Sequence, residues 1–374
     1  MAGIYVHIPF CRKRCTYCDF HFSTTFSRYR DDLISAIVRE VELRKNEIIE
    51  PVETIYFGGG TPSVLSEKEI NELVDVVNNS FEISKQVEFT FEVNPEDVTR
   101  ENAQIWKQAG INRISIGIQS FKESDLKWMN RAHELHQSFE AVDILKKNGF
   151  SNISADLIYG LPELNLKEWE QHLQQVIDLD VQHISAYCLT VEKQTALNHF
   201  VRTGKLKTPS EELQSDQFNL MLRFLSKKGF NQYEISNFSK PGFESKHNTS
   251  YWLNKPYLGV GPSAHSFEGN KRRWNVSNNT KYYKSVGKNS DWFEEEILSE
   301  TDQWNELFLT GLRTCWGVSK DNISQLGDFK SAEQDTLKKL IQSGDLIETT
   351  DALILSEKGR LKADGIAVMF FRVN

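Results

Sequence analysis

Three cysteines, Cys11, Cys15 and Cys18, are gathered in the stretch FCRKRCTYCDF of a 374-residue chain that holds five cysteines in all. Thiols clustered in this way ligate metal or carry redox chemistry in a reducing compartment, where disulfides do not persist. Cys188 and Cys315 stand alone, so no second pair completes a common four-cysteine zinc site. Two chemistries stay open on spacing alone. An iron–sulfur cluster normally takes four cysteine ligands, and three would leave one iron free for a ligand from outside the protein. A zinc knuckle would instead recruit His7 or His21 as fourth ligand, giving a stabilised scaffold with no redox role.

The elements that must present these thiols read as alternating strands and helices. GIYVHIP, ahead of the cysteines, has the character of a buried strand, and RDDLISAIVREVELRKNE after them carries helical apolar spacing. TIYFGG is followed by the helix SEKEINELVDVVNNSF, which begins with a capping box of Ser66 and Glu69. VEFTFEVN, RISIGIQ, ISADLIYG and HISAYCL are further strands, with helices between them over TRENAQIWKQAG, up to Gly149, and over LKEWEQHLQQVIDL. Such alternation gives parallel strands joined by right-handed crossovers. It suits a doubly wound sheet or a complete or partial βα-barrel, and in either the chemistry gathers at the C-terminal ends of the strands. His7, Glu92, Gln119 and Asp156 fall there. GGGTP, Gly58 to Pro62, follows the second strand, where glycines let backbone come close to a ligand.

From about residue 200 the pattern changes. KLKTPSEE reads as an exposed connection into the helix LQSDQFNLMLRFLSKKG, and residues 231–290 show little regular periodicity. Helices around DQWNELFLTGLR, KDNISQLG and SAEQDTLKKLIQSG then precede a hairpin turning at Asp351, the order of a winged-helix domain. The expected division is a βα region over 1–200, a connecting segment over 201–290 and a C-terminal domain over 291–374. The third of these helices carries two lysines beside Glu and Asp, too thin a basic face for a major-groove reader, and the net charge of −8 argues against phosphate-backbone binding. With 39% hydrophobic and 26% charged residues the composition is that of a globular protein with a sizeable core. No run approaches the roughly eighteen apolar residues of a membrane span, and MAGIYVHIPF lacks the features of a signal peptide. The expected location is cytoplasmic.

C-x3-C-x2-C with Tyr17 before the last cysteine, on the loop after the first strand of a βα architecture, resembles the radical S-adenosylmethionine superfamily. The resemblance continues through GGGTP, EVNP with Glu92, GIQS with Gln119, Arg131 and DLIYGLP with Asp156. It points to one subgroup, the oxygen-independent coproporphyrinogen III oxidases and their haem-chaperone relatives, and covers essentially the whole chain. It implies an α/β fold, a partial (β/α)6 TIM-like barrel with a C-terminal helical, winged-helix-like domain. It also implies a 4Fe-4S cluster on Cys11, Cys15 and Cys18, with S-adenosylmethionine chelating the fourth iron and yielding a 5′-deoxyadenosyl radical on reduction. By the same resemblance Tyr5, Gly59 and Glu92 touch the cluster-bound S-adenosylmethionine, while Tyr17, Gly60, Thr61, Gln119, Arg131 and Asp156 match positions lining a second such site.

Within the subgroup, the oxidases decarboxylate two propionates of coproporphyrinogen III in porphyrin biosynthesis, whereas the chaperones bind haem and hand it to apoproteins. Three features set this sequence with the chaperones. Cys11 follows only ten residues, where the oxidases carry a long N-terminal extension. Phe20 stands where they place a further cysteine. HNTSYW, His247 to Trp252, matches the H-N-x-x-Y-W motif of the chaperones and implies ligation of haem iron by His247. Imidazole is a common axial ligand, and Tyr251 and Trp252 are suited to stack on or edge a flat macrocycle. The expectation is therefore a haem chaperone, with the oxidase activity as the alternative.

Arg12, Lys13 and Arg14 are placed to pair with propionates, while Lys271 to Arg273 read as a solvated face. GVGPSAHS reads as a loop closing the barrel mouth, with His265 a lesser candidate for ligand contact. The resemblance further implies respiratory-chain apoproteins as recipients and a peripheral position at the cytoplasmic membrane. The C-terminal domain is expected to act as a lid or a surface for partners.

Overall fold

The computed structural model describes residues 2–206 and 210–373. The expected connection over 205–212 therefore lies partly outside the described residues. β1 (Ala2–Ile8) leads into the cysteine loop and α1 (Arg30–Arg44), then β2 (Val52–Gly59), α2 (Glu67–Ser80), β3 (Ile83–Val93) and α3 (Arg100–Gln108). β4 (Arg113–Gln119) is followed by two helices, α4 (Glu123–Trp128) and α5 (Leu135–Lys147), then β5 (Ile153–Tyr159), α6 (Leu166–Asp178) and β6 (His183–Cys188). These strands pair in parallel, each with the next. Their helices cover one face, so Ile4, Val6 and Ile8 pack with Leu33, Ile37 and Val41 in one continuous core. The Ser66–Glu69 capping box at the head of α2 is formed, with Ser66 accepting from the Glu69 amide and the Glu69 carboxylate from the Ser66 amide.

After α7 (Ala196–Arg202) and α8 (Glu211–Lys227) come β7 (Asn231–Gln232), β8 (Asn237–Ser239), α9 (Lys246–Trp252) and β9 (Tyr257–Val260). β10 (His265–Glu268), β11 (Lys271–Asn275), α10 (Asn279–Lys288) and β12 (Phe293–Ile297) complete the sheet. Among the described residues its order is β12-β11-β10-β9-β1-β2-β3-β4-β5-β6-β8-β7, a line that does not close, so the barrel is partial. The stretch that lacked periodicity in the sequence thus supplies strands to both margins of the barrel. β9 runs parallel to β1, with Val6 opposite Val260, whereas β8 is antiparallel to β6. These strands have two to five residues each, too few for an alternation to stand out.

A buried carboxylate ties the added strands to the barrel. Glu40 of α1 is fully buried and accepts from Arg44 Nη1 at 3.0 Å, Tyr282 OH at 2.6 Å, Trp292 Nε1 at 3.1 Å and the Gly261 amide at 2.9 Å, as well as from Asn275 Nδ2. GVGPSAHS is therefore partly strand, pinned by Glu40. Gly261 is glycine for a reason: at φ 99° it lies so close to β1 that a Cβ would sit 2.5 Å from the His7 carbonyl oxygen. The run Lys271 to Arg273, expected as a free solvated face, is instead ion-paired to Glu295, Glu306 and Glu47.

The C-terminal part has its own core, with Trp304, Phe308 and Phe370 at its centre. Its order is α11 (Glu300–Gly311), β13 (Val318–Ser319), α12 (Lys320–Leu326), α13 (Ser331–Gln342), β14 (Leu346–Glu348) and β15 (Ala352–Leu355), a winged-helix sequence of elements. The second hairpin strand stops at Leu355 because Ser356 caps a further helix, α14 (Glu357–Arg360), before α15 (Ala363–Val368). Arg360 Nη1 donates to Gln232 Oε1 at 2.6 Å and the Cys315 amide to the Tyr233 carbonyl at 2.9 Å, joining this part to the barrel. No helix of the described residues is long and apolar enough to cross a membrane.

Candidate functional site

Barrel interiors of this kind are usually filled by branched apolar side chains. Here the inward positions carry Tyr56, Glu92, Arg113, Ser115, Asp156 and Ser185, and they enclose a cavity of about 330 Å³. Its rim is the cysteine loop. Cys11, Cys15, Tyr17 and Cys18 line it together with Gly59, Gly60, Thr61, Gln119 and Arg131. The structure thus brings together the three cysteines and eight of the expected contact residues, Glu92 and Asp156 included.

The sulfurs are met by donors. Thr61 Oγ1 donates to Cys11 Sγ at 3.3 Å and Arg131 Nη1 to Cys15 Sγ at 3.6 Å. Arg131 is itself fixed by Asn94 Oδ1 at 2.7 Å and the Gly117 carbonyl at 2.9 Å. Burial works against its charge, but Tyr17, Cys15 and Glu96 hold its pKa above the ordinary value. Burial also pushes the Cys11 thiol up to about 12 and Cys18 to about 11. The glycine run makes this packing possible. A Cβ on Gly60 would lie 2.7 Å from the Ile8 carbonyl oxygen, and Gly59 has φ 103° with the His7 ring against it.

The three thiols all line the rim of one cavity, and among the described residues no three His, Cys, Asp or Glu side chains are set to hold one metal ion. Both histidines of the zinc alternative are otherwise engaged. His7 Nε2 lies 2.8 Å from the His21 carbonyl and its Nδ1 3.1 Å from Tyr5 OH, while His21 Nε2 meets Asn279 Oδ1 at 2.6 Å. Three thiols at one rim suit a multi-iron cluster, in which each iron takes one sulfur.

Deeper in the cavity stand two carboxylates. Glu92 accepts from Tyr56 OH at 2.7 Å and the Gly59 amide at 3.1 Å, and Ser115 Oγ donates to Asp156 at 3.1 Å. Burial, with Asp156 adding to it, raises Glu92 to about 7 against these hydrogen bonds; burial raises Asp156 to about 6. Gln119, at the end of β4, has φ 67°, an unfavourable left-handed conformation for a non-glycine residue, where the β4–β5 register is also irregular.

The HNTSYW residues stand apart from this cavity except for Asn248, which lines it. They form α9, with Glu88 accepting from the amides of Lys246 and His247 at its start. His247 is 1% exposed and packs against the barrel interior, its Nδ1 2.8 Å from Thr54 Oγ1 and its Nε2 2.7 Å from Tyr251 OH. Burial, then the field of Arg113, lowers its pKa to about 3, so the ring is neutral. Tyr5 packs beside Tyr56 and His247, whose rings stack on each other 5.1 Å apart, and does not line the cavity. Trp252 has the Arg313 guanidinium 5.6 Å over its ring. His265 packs on Trp274 and does not line the cavity. Of the basic trio, Lys13 lines the rim, while Arg12 bonds Asp97 at 2.8 Å and Arg14 the Gln194 carbonyl at 3.2 Å.

Sequence reasoning missed Tyr56, Arg113, Ser115, Ser185 and Cys188. The available signal was the alternation within RISIGIQ and HISAYC, which sends Arg113, Ser115 and Ser185 to the same face as Gln119 and Tyr187.

Comparison with known proteins adds three findings. The sequence profile of the Radical SAM superfamily matches residues 5–176, and that of the HemN C-terminal domain residues 298–361. The protein named heme chaperone HemW of Bacillus subtilis is 35% identical over 371 residues, 96% of this chain and 97% of that one. Its namesake of Lactococcus lactis is 34% identical over 95% and 93%. Among solved structures, coproporphyrinogen III oxidase (HemN) from Escherichia coli superposes with a TM-score of 0.85 over 99% of this chain and 89% of that one, at 22% identity.

Proposed function

The chain belongs to the HemW family of radical SAM proteins, and from that membership we propose that it is a haem chaperone, binding haem and transferring it to apoproteins. The observation that carries this reading is similarity over nearly the full length of both chains to proteins named for that role. A 4Fe-4S cluster would be held by Cys11, Cys15 and Cys18 at the cavity rim, with S-adenosylmethionine beside it. Bound there, the pair supplies one-electron chemistry. Thr61 and Arg131 direct donors at the cysteine sulfurs, while Tyr56 and Gly59 orient the Glu92 carboxylate into the cavity. The cysteine loop and the glycine run wall the rim.

Haem ligation by His247 requires its Nε2 to leave Tyr251, because one lone pair cannot serve both the hydroxyl and iron. Haem bound there would engage α9, of whose residues Asn248 also lines the cavity. Recipients are haem apoproteins.

The test is a haem titration of anaerobically reconstituted protein followed at the Soret band, with a parallel incubation with coproporphyrinogen III, S-adenosylmethionine and reductant. Stoichiometric haem binding without protoporphyrinogen is expected. Formation of protoporphyrinogen overturns the chaperone reading in favour of the oxidase. Unchanged haem binding by His247→Ala removes His247 from the haem site.

A further inference from the structure

Arg113 opens β4 and, with Ser115, Gly117 and Gln119 of the same strand, lines the cavity. At about 3.3 Å per residue the cavity runs roughly 20 Å along β4, from the thiol rim at Gln119 to a floor at Arg113. The residue is 1% exposed. Among the described residues its side chain makes no hydrogen bond and no ion pair, and its Nε is buried without a partner. Thr90, its register partner on β3, is fully buried and its hydroxyl also lacks a partner.

A buried guanidinium is costly unless paired, and proteins rarely leave one alone. The carboxylates within reach of its field are committed elsewhere, Glu92 to Tyr56 and Gly59, Asp156 to Ser115. The neighbouring imidazoles supply no negative charge. His183 is held between Ser154 Oγ and Tyr233 OH, each at 2.7 Å, and His247 between Thr54 and Tyr251. Beyond the longer-range attraction of Glu92 and Asp156, a direct partner is left to come from outside the chain. Guanidinium presents a planar fork that matches a carboxylate with two parallel hydrogen bonds. With Glu92 and Asp156 nearby, a singly charged carboxylate suits the floor better than a doubly charged phosphate.

We propose that Arg113 is the seat for a carboxylate of a small molecule taken into the barrel. This carboxylate is distinct from one chelating metal at the rim, which lies at the other end of the cavity. It can belong to a porphyrin propionate or to the amino-acid end of a further S-adenosylmethionine. The porphyrin source rests on the haem-chaperone reading; the seat itself does not.

The test uses the full chain, with wild type, Arg113→Met and Arg113→Lys compared by calorimetric titration with S-adenosylmethionine and by fluorescence titration with protoporphyrin IX and its dimethyl ester. Arg113→Met is expected to lose at least tenfold in affinity for one acid probe, with no loss for the uncharged ester. Its ligand-free melting temperature should be equal to or above wild type, because an unpaired buried charge is gone. A loss confined to protoporphyrin assigns a propionate, and one confined to S-adenosylmethionine assigns its carboxylate. If Arg113→Met fails to fold, Arg113→Lys keeps the charge without the fork and should still lose affinity severalfold. Unchanged binding of both acids by the folded variants overturns the seat, and leaves haem chaperoning untouched if haem still binds. A wild type that binds no haem or porphyrin, with S-adenosylmethionine affinity dependent on Arg113, overturns the chaperone reading while the seat stands.

Discussion

Glu92 and Asp156 occupy positions where a barrel would ordinarily place valine or isoleucine, and their acidity shows what that costs. With Glu92 raised to about 7, the folded protein holds a proton between the ordinary carboxylate pKa and about pH 7 that the unfolded chain has released. Stability contributed by the neutral form is thus present at low pH and falls as pH rises to about 7. Glu92→Gln should flatten this dependence and raise the melting temperature at pH 8 by about 2–4 °C, measured by calorimetry from pH 5 to 8. An unaltered pH profile would show that another group carries it. Arg131 allows a second prediction. Its hydrogen bond to Cys15 and its positive charge both favour the reduced form of a bound cluster. Arg131→Met should move the reduction potential to more negative values in a titration followed by electron paramagnetic resonance. The cysteines were marked by their spacing, and Glu92 and Asp156 by their place at strand ends and by the family resemblance. Arg113 was not, because nothing in a strand's sequence says whether an inward arginine will find a partner.

At the scale of elements, the βα units were legible because each strand is an apolar run and each helix carries one apolar stripe. β9 and α9 were not. β9 is four residues of a glycine-containing segment, and α9 is a polar seven-residue helix that exists through tertiary contacts, Glu88 at its start and His247 packed inside. The motif read as a haem ligand is thus also a piece of barrel floor. Glu40 is the junction of α1, α10 and the β9–β10 turn, and its charge is balanced by Arg44. Glu40→Ala would strand that arginine and four neutral donor groups, a loss of about 3–5 kcal/mol. Urea unfolding should show it as a lower midpoint with unchanged slope, and a variant within 1 kcal/mol of wild type would mean the donors find water instead.

Across the whole molecule, the winged-helix order was legible from three amphipathic helices followed by a hairpin, and its core is a separate one against which Ile235, from between β7 and β8, packs. Its attachment was not legible, since it depends on single groups such as Arg360 with Gln232 and the Cys315 amide with the Tyr233 carbonyl. These hold it against β7 and the segment that leads to α9.

The pairing of β9 with β1 also sets a timetable. One side of β1 is closed at once by β2, but the other waits for residues 257–260, far downstream in synthesis. Until they emerge from the ribosome, the strand that carries the cysteine loop has an open edge, which is a hazard for wrong pairing. Chains truncated before Tyr257 should therefore alkylate quickly at Cys11, Cys15 and Cys18 and take up little iron, whereas chains extended through Ile297 should resist alkylation and load. Equal iron uptake by the two would show that the loop matures on its own. Low uptake by the truncated chains would mean that three thiols stay open to reaction for most of the chain's translation, and that any cluster they come to hold is a late addition.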